Sequence, residues 1–133
     1  MSAADIVIVC ALELLGRSAS SLPPIRIIEH RPPGASANAV AFARDGVIYI
    51  IASAAPFSLA RNARLPKECR DVDTLRLVAS TIVHEEWHVL NGADEQGAYF
   101  AQLTALHQMG LGPGTQAHRQ IKQAMHAATS RRR

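Results

Sequence analysis

The pattern that most constrains this 133-residue chain lies in the stretch TIVHEEWHVLNG, where two histidines stand four residues apart. Residues with this spacing lie one above the other on a helix, so His84 and His88 can bind one ion together if the stretch is helical. Glu85 is rotated by about 100° around the same helix, which favours it as a base beside the ion over a ligand. His84-Glu85-x-x-His88, the pattern H-E-x-x-H, therefore predicts a zinc site with Glu85 as its catalytic carboxylate.

Hydrophobic periodicity predicts a helix around this motif and three others elsewhere. The motif helix runs from 73 to 90, its apolar positions fall on one stripe, and Gly92 ends it. The other predicted helices cover residues 3 to 16, 94 to 109 and 115 to 128. The first of these contains an apolar run, Ile6 to Leu15, that lacks the basic start of a signal peptide and is too short to span a bilayer.

Strand signals lie between the first helix and the motif helix. Residues 25 to 30 are typical of a short strand, and residues 39 to 53 of a hairpin that turns at Asp45-Gly46. Val47 to Ile51 is apolar on both faces, which predicts a central strand. Residues 54 to 70 carry prolines and scattered charges and are interpreted as a surface loop. The predicted fold is α+β, with an N-terminal helix, a small antiparallel sheet of about three strands, the motif helix and two further helices.

Length and charge favour a single domain, 1 to 133, without a nucleic-acid-binding face. The net charge is +3, but three of the fourteen basic residues are the terminal Arg131 to Arg133. Without them, eleven basic residues face eleven acidic ones, so the positive charge belongs to a predicted flexible tail at 129 to 133. The two cysteines, Cys10 and Cys69, form no C-x-x-C pair, which favours a reduced, cytoplasmic protein. No membrane partner is expected, because the apolar run near the N-terminus is too short to span a bilayer.

The segment HEEWHVLNGADEQGAYFAQL resembles the active-site region of the zincin metallopeptidases, and most of all the small gluzincins. The stretch from Glu95 to Leu103 is also similar to the helix that follows the motif in repressor-cleaving peptidases of mobile elements. The resemblance covers about residues 39 to 110 and implies a minimal zincin-like fold. It further implies that a carboxylate after the motif supplies the third zinc ligand.

Two carboxylates compete for that ligand position. Gluzincins use a glutamate on the following helix, which favours Glu95 and leaves Asp94 as the N-cap of that helix. Metzincins place their ligand six residues after the second histidine, beyond a glycine. Asp94 has that spacing, with Asn91 at the glycine position, and it remains the alternative. Tyr99 lies one turn beyond Glu95 and is predicted to pack beneath the site or to contact substrate, and His118 is the best candidate to stabilise a transition state.

The predicted activity is that of a zinc metalloendopeptidase acting on a peptide or protein substrate. Zinc would be held by His84, His88 and Glu95, and Glu85 would activate a water in the open fourth position. An edge strand of the 39 to 53 hairpin would pair with the substrate backbone. Two alternatives remain open: a metal-dependent endoribonuclease similar to the bacterial zinc enzymes of ribosomal RNA maturation, and a non-catalytic zincin-fold binding domain.

Overall fold

The computed structural model of the protein describes residues 2–63, 69 and 73–130, and it has the predicted α+β architecture. Within these residues the chain forms three strands and five α-helices, with a short 3₁₀ turn at Ala19–Ser21. The elements in chain order are α1 (Ala3–Leu15), β1 (Ile25–Ile28), β2 (Ala41–Arg44), β3 (Val47–Ile51), α2 (Phe57–Asn62), α3 (Asp73–Asn91), α4 (Glu95–Gln108) and α5 (Gln116–Ser130).

The sheet has the order β1-β3-β2, so the doubly apolar strand lies at its centre, as predicted. The β2–β3 hairpin turns at Asp45 and Gly46, whose φ angles are 52° and 75°, the positive values that a type I′ turn requires. The prediction of a fully antiparallel sheet is wrong, because β1 pairs with β3 in parallel. Residues 29 to 40 carry the chain past β3 to the far edge, and the hairpin then returns β3 to the middle of the sheet, where Ile48, Ile50 and Ile51 are buried.

The main core lies between the sheet, α1, α2 and α3. The N-terminal apolar run forms part of helix α1, as predicted, and this helix buries one face against α3. Its buried residues join those of β3 and α3 in one cluster, which includes Val7, Leu12, Ile48, Ile50, Leu75, Val78 and Ile82. This packing holds α3, and with it the motif, against the core. Among the described residues, no helix combines the length and apolar character needed to cross a bilayer.

Two predictions fail at the segment before the motif helix. Residues 57 to 62, interpreted as surface loop, form α2, because Phe57 and Ala60 are three residues apart and both are buried in the core. Cys69 forms a disulfide with Cys10, so the prediction of reduced cysteines is also wrong. Disulfides persist in oxidising compartments, and the prediction of a cytoplasmic location therefore loses its main support. Residues 64 to 68 and 70 of the predicted loop lie outside the described residues.

The last two helices add a second layer beside α3. α4 packs against α3, and α5 packs against α4 over a small cluster of Leu106, Leu111 and Ala117. α5 continues through Ser130, two residues into the segment predicted to be a flexible tail. Arg131 to Arg133, the basic part of that tail, lie outside the described residues.

Candidate metal centre

The motif helix brings its two histidines together on the face that α4 covers. Because they lie one turn apart on α3, their Nε2 atoms approach to 3.2 Å. Asn91 ends the helix, and Gly92, with a φ of 94°, turns the chain so that α4 begins at Glu95. α4 then runs back along α3, since Glu95 contacts His88 while Gln102, two turns later, contacts His84.

The Glu95 carboxylate completes a convergent set of polar atoms. Its Oε1 contacts His88 Nε2 directly and lies 3.6 Å from His84 Nε2. The competing candidate, Asp94, is the N-cap of α4: its side chain accepts a hydrogen bond of 3.1 Å from the backbone N–H of Gln96. The structure thus brings Glu95 to both imidazoles and gives Asp94 the capping role that its position favours.

Glu85 borders the same space from the other side. Its Oε2 lies 4.0 Å from His84 Nε2, and the residue is 6% exposed. Burial raises the pKa of the Glu85 carboxyl above its usual value, which is the direction that suits a proton acceptor near neutral pH. Ligand atoms of His84, Glu85 and His88 all lie within 4.8 Å of one another, so these three could hold a metal ion together. The geometry therefore permits Glu85 to act as a base or as an additional ligand.

Charge is concentrated on the pair formed by His88 and Glu95. The hydrogen bond to Glu95 raises the pKa of His88 to about 8, against an ordinary value of 6.5. The imidazoles of His84 and His88 beside the carboxylate lower the pKa of Glu95. Without a metal, the pair is therefore an imidazolium beside a carboxylate at neutral pH.

This ion pair predicts a pH-dependent stability for the metal-free protein. A raised histidine pKa stabilises the fold below pH 6.5 and loses that effect as pH rises through about 8. The lowered Glu95 pKa stabilises it above pH 4.5 and loses that effect on acidification. The shift at His88 corresponds to about 2 kcal/mol. Urea unfolding of chelator-treated protein should therefore show a loss of about this size between about pH 6 and about pH 9. Glu95→Gln should flatten the dependence, and an equal loss in both proteins would exclude the pair as its cause.

Both imidazoles are held from behind by hydrogen bonds at Nδ1. His88 Nδ1 lies 2.7 Å from the backbone oxygen of Gly92, and His84 Nδ1 lies 2.9 Å from Oε1 of Gln102. Sequence reasoning missed Gln102. The signal was present, because Glu95, Tyr99 and Gln102 follow the i, i+4, i+7 spacing of one helix face and place a polar residue among core positions.

Aromatic and glycine residues bring α4 close to the histidines. The Tyr99 ring packs edge-on against His84, with centroids 4.5 Å apart at 78°. Trp87 lies directly over Gly97, where an added Cβ would be 2.2 Å from the indole Cζ2. Glycine is therefore required at this crossing, and a larger residue would push Glu95 away from the imidazoles.

The other charged residue of the motif, Glu86, faces α1. Its carboxylate accepts hydrogen bonds of 2.7 and 3.1 Å from the Arg17 guanidinium, just beyond the end of α1. This pair joins the motif helix to the element that packs behind it.

His118 is not brought to the histidine–glutamate cluster. It is buried on α5, and the charges that act on it are those of Lys122 and His107. His107 is twelve residues beyond Glu95 on α4, or about 18 Å along the helix axis. The structure therefore offers no support for a transition-state role of His118.

No known protein family matches the chain, and no curated protein or solved structure matches it either.

Proposed function

We propose that this protein is a zinc-dependent metallopeptidase, with His84, His88 and Glu95 as zinc ligands and Glu85 as the catalytic base. The observation that carries the proposal is the convergence of three ligand atoms from two helices. The two Nε2 atoms lie 3.2 Å apart, and the Glu95 carboxylate contacts both rings. Two imidazole nitrogens and one carboxylate oxygen are the donor set of many catalytic zinc sites.

The hydrogen bonding behind the rings supports a cation at this point. The Gly92 carbonyl oxygen can only accept, so His88 Nδ1 carries a proton and neutral His88 presents the lone pair of Nε2. The Nε2 of His84 faces it at 3.2 Å. Two lone pairs at this distance repel each other unless a proton or a metal ion lies beside them. The residues present therefore fit a bound zinc ion.

A zinc ion at this site would acidify a water molecule and polarise a carbonyl group. The chain's own contribution is proton transfer. The buried Glu85 carboxylate, with its raised pKa, accepts a proton from the attacking water and passes it to the leaving amine. Gln102 holds the His84 ring, and the first turn of α4 holds Glu95. These two ligands would therefore keep the ion in a fixed position relative to Glu85.

Substrate binding is proposed at the free edge of β2. Within the described residues, β2 pairs with β3 alone, so its other edge can accept the backbone of an extended peptide. β2 also packs against α3, which places this edge beside the motif helix.

Zinc titration tests the ligand assignment. We expect Glu95→Gln to raise the zinc Kd by at least about tenfold, because it removes the charged oxygen donor. Asp94→Asn is the matched control and should change Kd little, since asparagine also caps helices well. Both are single carboxylate-to-amide changes at adjacent positions. The opposite order of effects would assign the third ligand to Asp94.

A further inference from the structure

A buried hydrogen-bonded chain runs from the backbone of α3 to His84. Its side chains are Ser80, Gln102 and His84, which are 0%, 4% and 7% exposed. The Ser80 hydroxyl lies 2.8 Å from the backbone oxygen of Leu77, and this carbonyl can only accept. The single hydroxyl hydrogen of Ser80 is therefore committed to Leu77, and its oxygen is left as an acceptor.

The acceptor at Ser80 fixes which way the Gln102 amide points. Gln102 Nε2 donates to Ser80 Oγ at 3.2 Å, so Oε1 faces His84 Nδ1 at 2.9 Å. An amide oxygen cannot donate, and the proton of neutral His84 must therefore be on Nδ1. The Nε2 lone pair is then directed at His88 and Glu95. A reversed amide would present N–H groups to Nδ1, move the proton to Nε2 and block the ligand atom.

We propose that Gln102 is a positioning residue, which holds His84 in the tautomer that binds metal, and that Ser80 sets the orientation of its amide. This inference rests on the proposed zinc site. It adds a property of that site: both histidines are supported by neutral carbonyl oxygens, from Gln102 and from the Gly92 backbone. A neutral acceptor raises the basicity of the imidazole less than a carboxylate does, so the bound ion keeps more of its charge.

The tautomer can be measured without metal, by long-range ¹H–¹⁵N NMR of histidine-labelled, chelator-treated protein. Spectra are recorded at about pH 9.5, where neutral imidazole predominates over imidazolium. Wild type should show His84 protonated at Nδ1. Gln102→Met removes the acceptor while conserving volume, and should shift His84 toward the Nε2-protonated tautomer. Gln102→Glu restores an acceptor and should keep the proton on Nδ1.

Zinc titration of the same proteins gives the second readout. Gln102→Met should raise the zinc Kd by about 10- to 100-fold, whereas Gln102→Glu should bind zinc at least as tightly as wild type. Gln108→Met, an exposed change on the same helix, is the control and should match wild type in both measurements. A folded Gln102→Met protein with an unchanged tautomer and an unchanged Kd would overturn the proposal.

Ser80→Ala is the second variant, and it decides the question if Gln102→Met does not fold. It keeps Gln102 but removes the group that orients it, so a mixture of His84 tautomers is expected. A wholly Nδ1-protonated His84 in folded Ser80→Ala would contradict the orienting role. The metal-free spectra also separate this proposal from the proposed function. A wild type that binds no zinc contradicts the peptidase assignment, while the tautomer result still tests Gln102.

Discussion

Glu85→Gln is expected to lower peptide hydrolysis at least about a hundredfold while the protein keeps about one zinc ion per chain. Glutamine has nearly the same volume as glutamate but cannot take up a proton, so the substitution isolates proton transfer from packing. Burial raises the pKa of Glu85, and a base with a raised pKa accepts a proton more readily from water. The loss should therefore appear in the turnover of substrate, with little change in zinc content or in melting temperature.

The assay compares wild type with Glu85→Gln on a peptide library or a proteome digest, with new termini counted by mass spectrometry. Glu13→Gln, an exposed change on α1, is the control and should retain wild-type activity. Zinc content is measured on the same preparations. A Glu85→Gln protein that sheds zinc would show that Glu85 is a ligand, which its 4.0 Å distance from His84 Nε2 permits. Full activity would show that the base lies elsewhere.

His84→Ala and His88→Ala are expected to abolish stoichiometric zinc binding, with Kd raised at least about a hundredfold. Each change removes one of two nitrogen ligands, and a single imidazole with one carboxylate holds the ion weakly. The two variants should differ in how metal-free stability depends on pH. His84→Ala leaves the buried amide oxygen of Gln102 without its partner, which costs about 1–3 kcal/mol. His88→Ala removes the ion pair with Glu95, so its cost of about 2 kcal/mol should disappear as pH rises through about 8.

Thermal unfolding with and without zinc separates the two effects. Ligand that binds only the folded state stabilises it by about 2.7 kcal/mol at a hundredfold excess over Kd. Wild type should show this gain, and both alanine variants should lose it whatever their starting stability. His126→Ala, an exposed histidine on α5, is the control and should respond to zinc as wild type does. A zinc-dependent gain in either motif variant would show that the ion binds elsewhere.

Local patterns in the sequence determined most of the helices and strands of this protein and part of its site. Asp45-Gly46 predicted the hairpin because a type I′ turn needs two positive φ angles, and the structure has both. The spacing of His84 and His88 predicted their apposition because positions four apart on a helix share one face. The capping role of Asp94 was likewise predictable, because the hydrogen bond that caps α4 joins Asp94 to Gln96, two residues later. All of these depend on neighbours in the chain.

Only the tertiary structure decided features that join distant residues. The parallel pairing of β1 with β3, the burial of α2 and the disulfide between Cys10 and Cys69 left no local pattern. At the site, local spacing places Gln102 on the same helix face as Glu95, but its contact with His84, eighteen residues away, was decided by packing. The close approach of α3 and α4 at Gly97 allows Gln102 and Glu95 to reach the two histidines. His118 shares a helix face with apolar residues, but it lies near His107, at the other end of α4 from Glu95. Periodicity tells which face of a helix is buried, but the partner that covers that face is set by how all the elements pack at once.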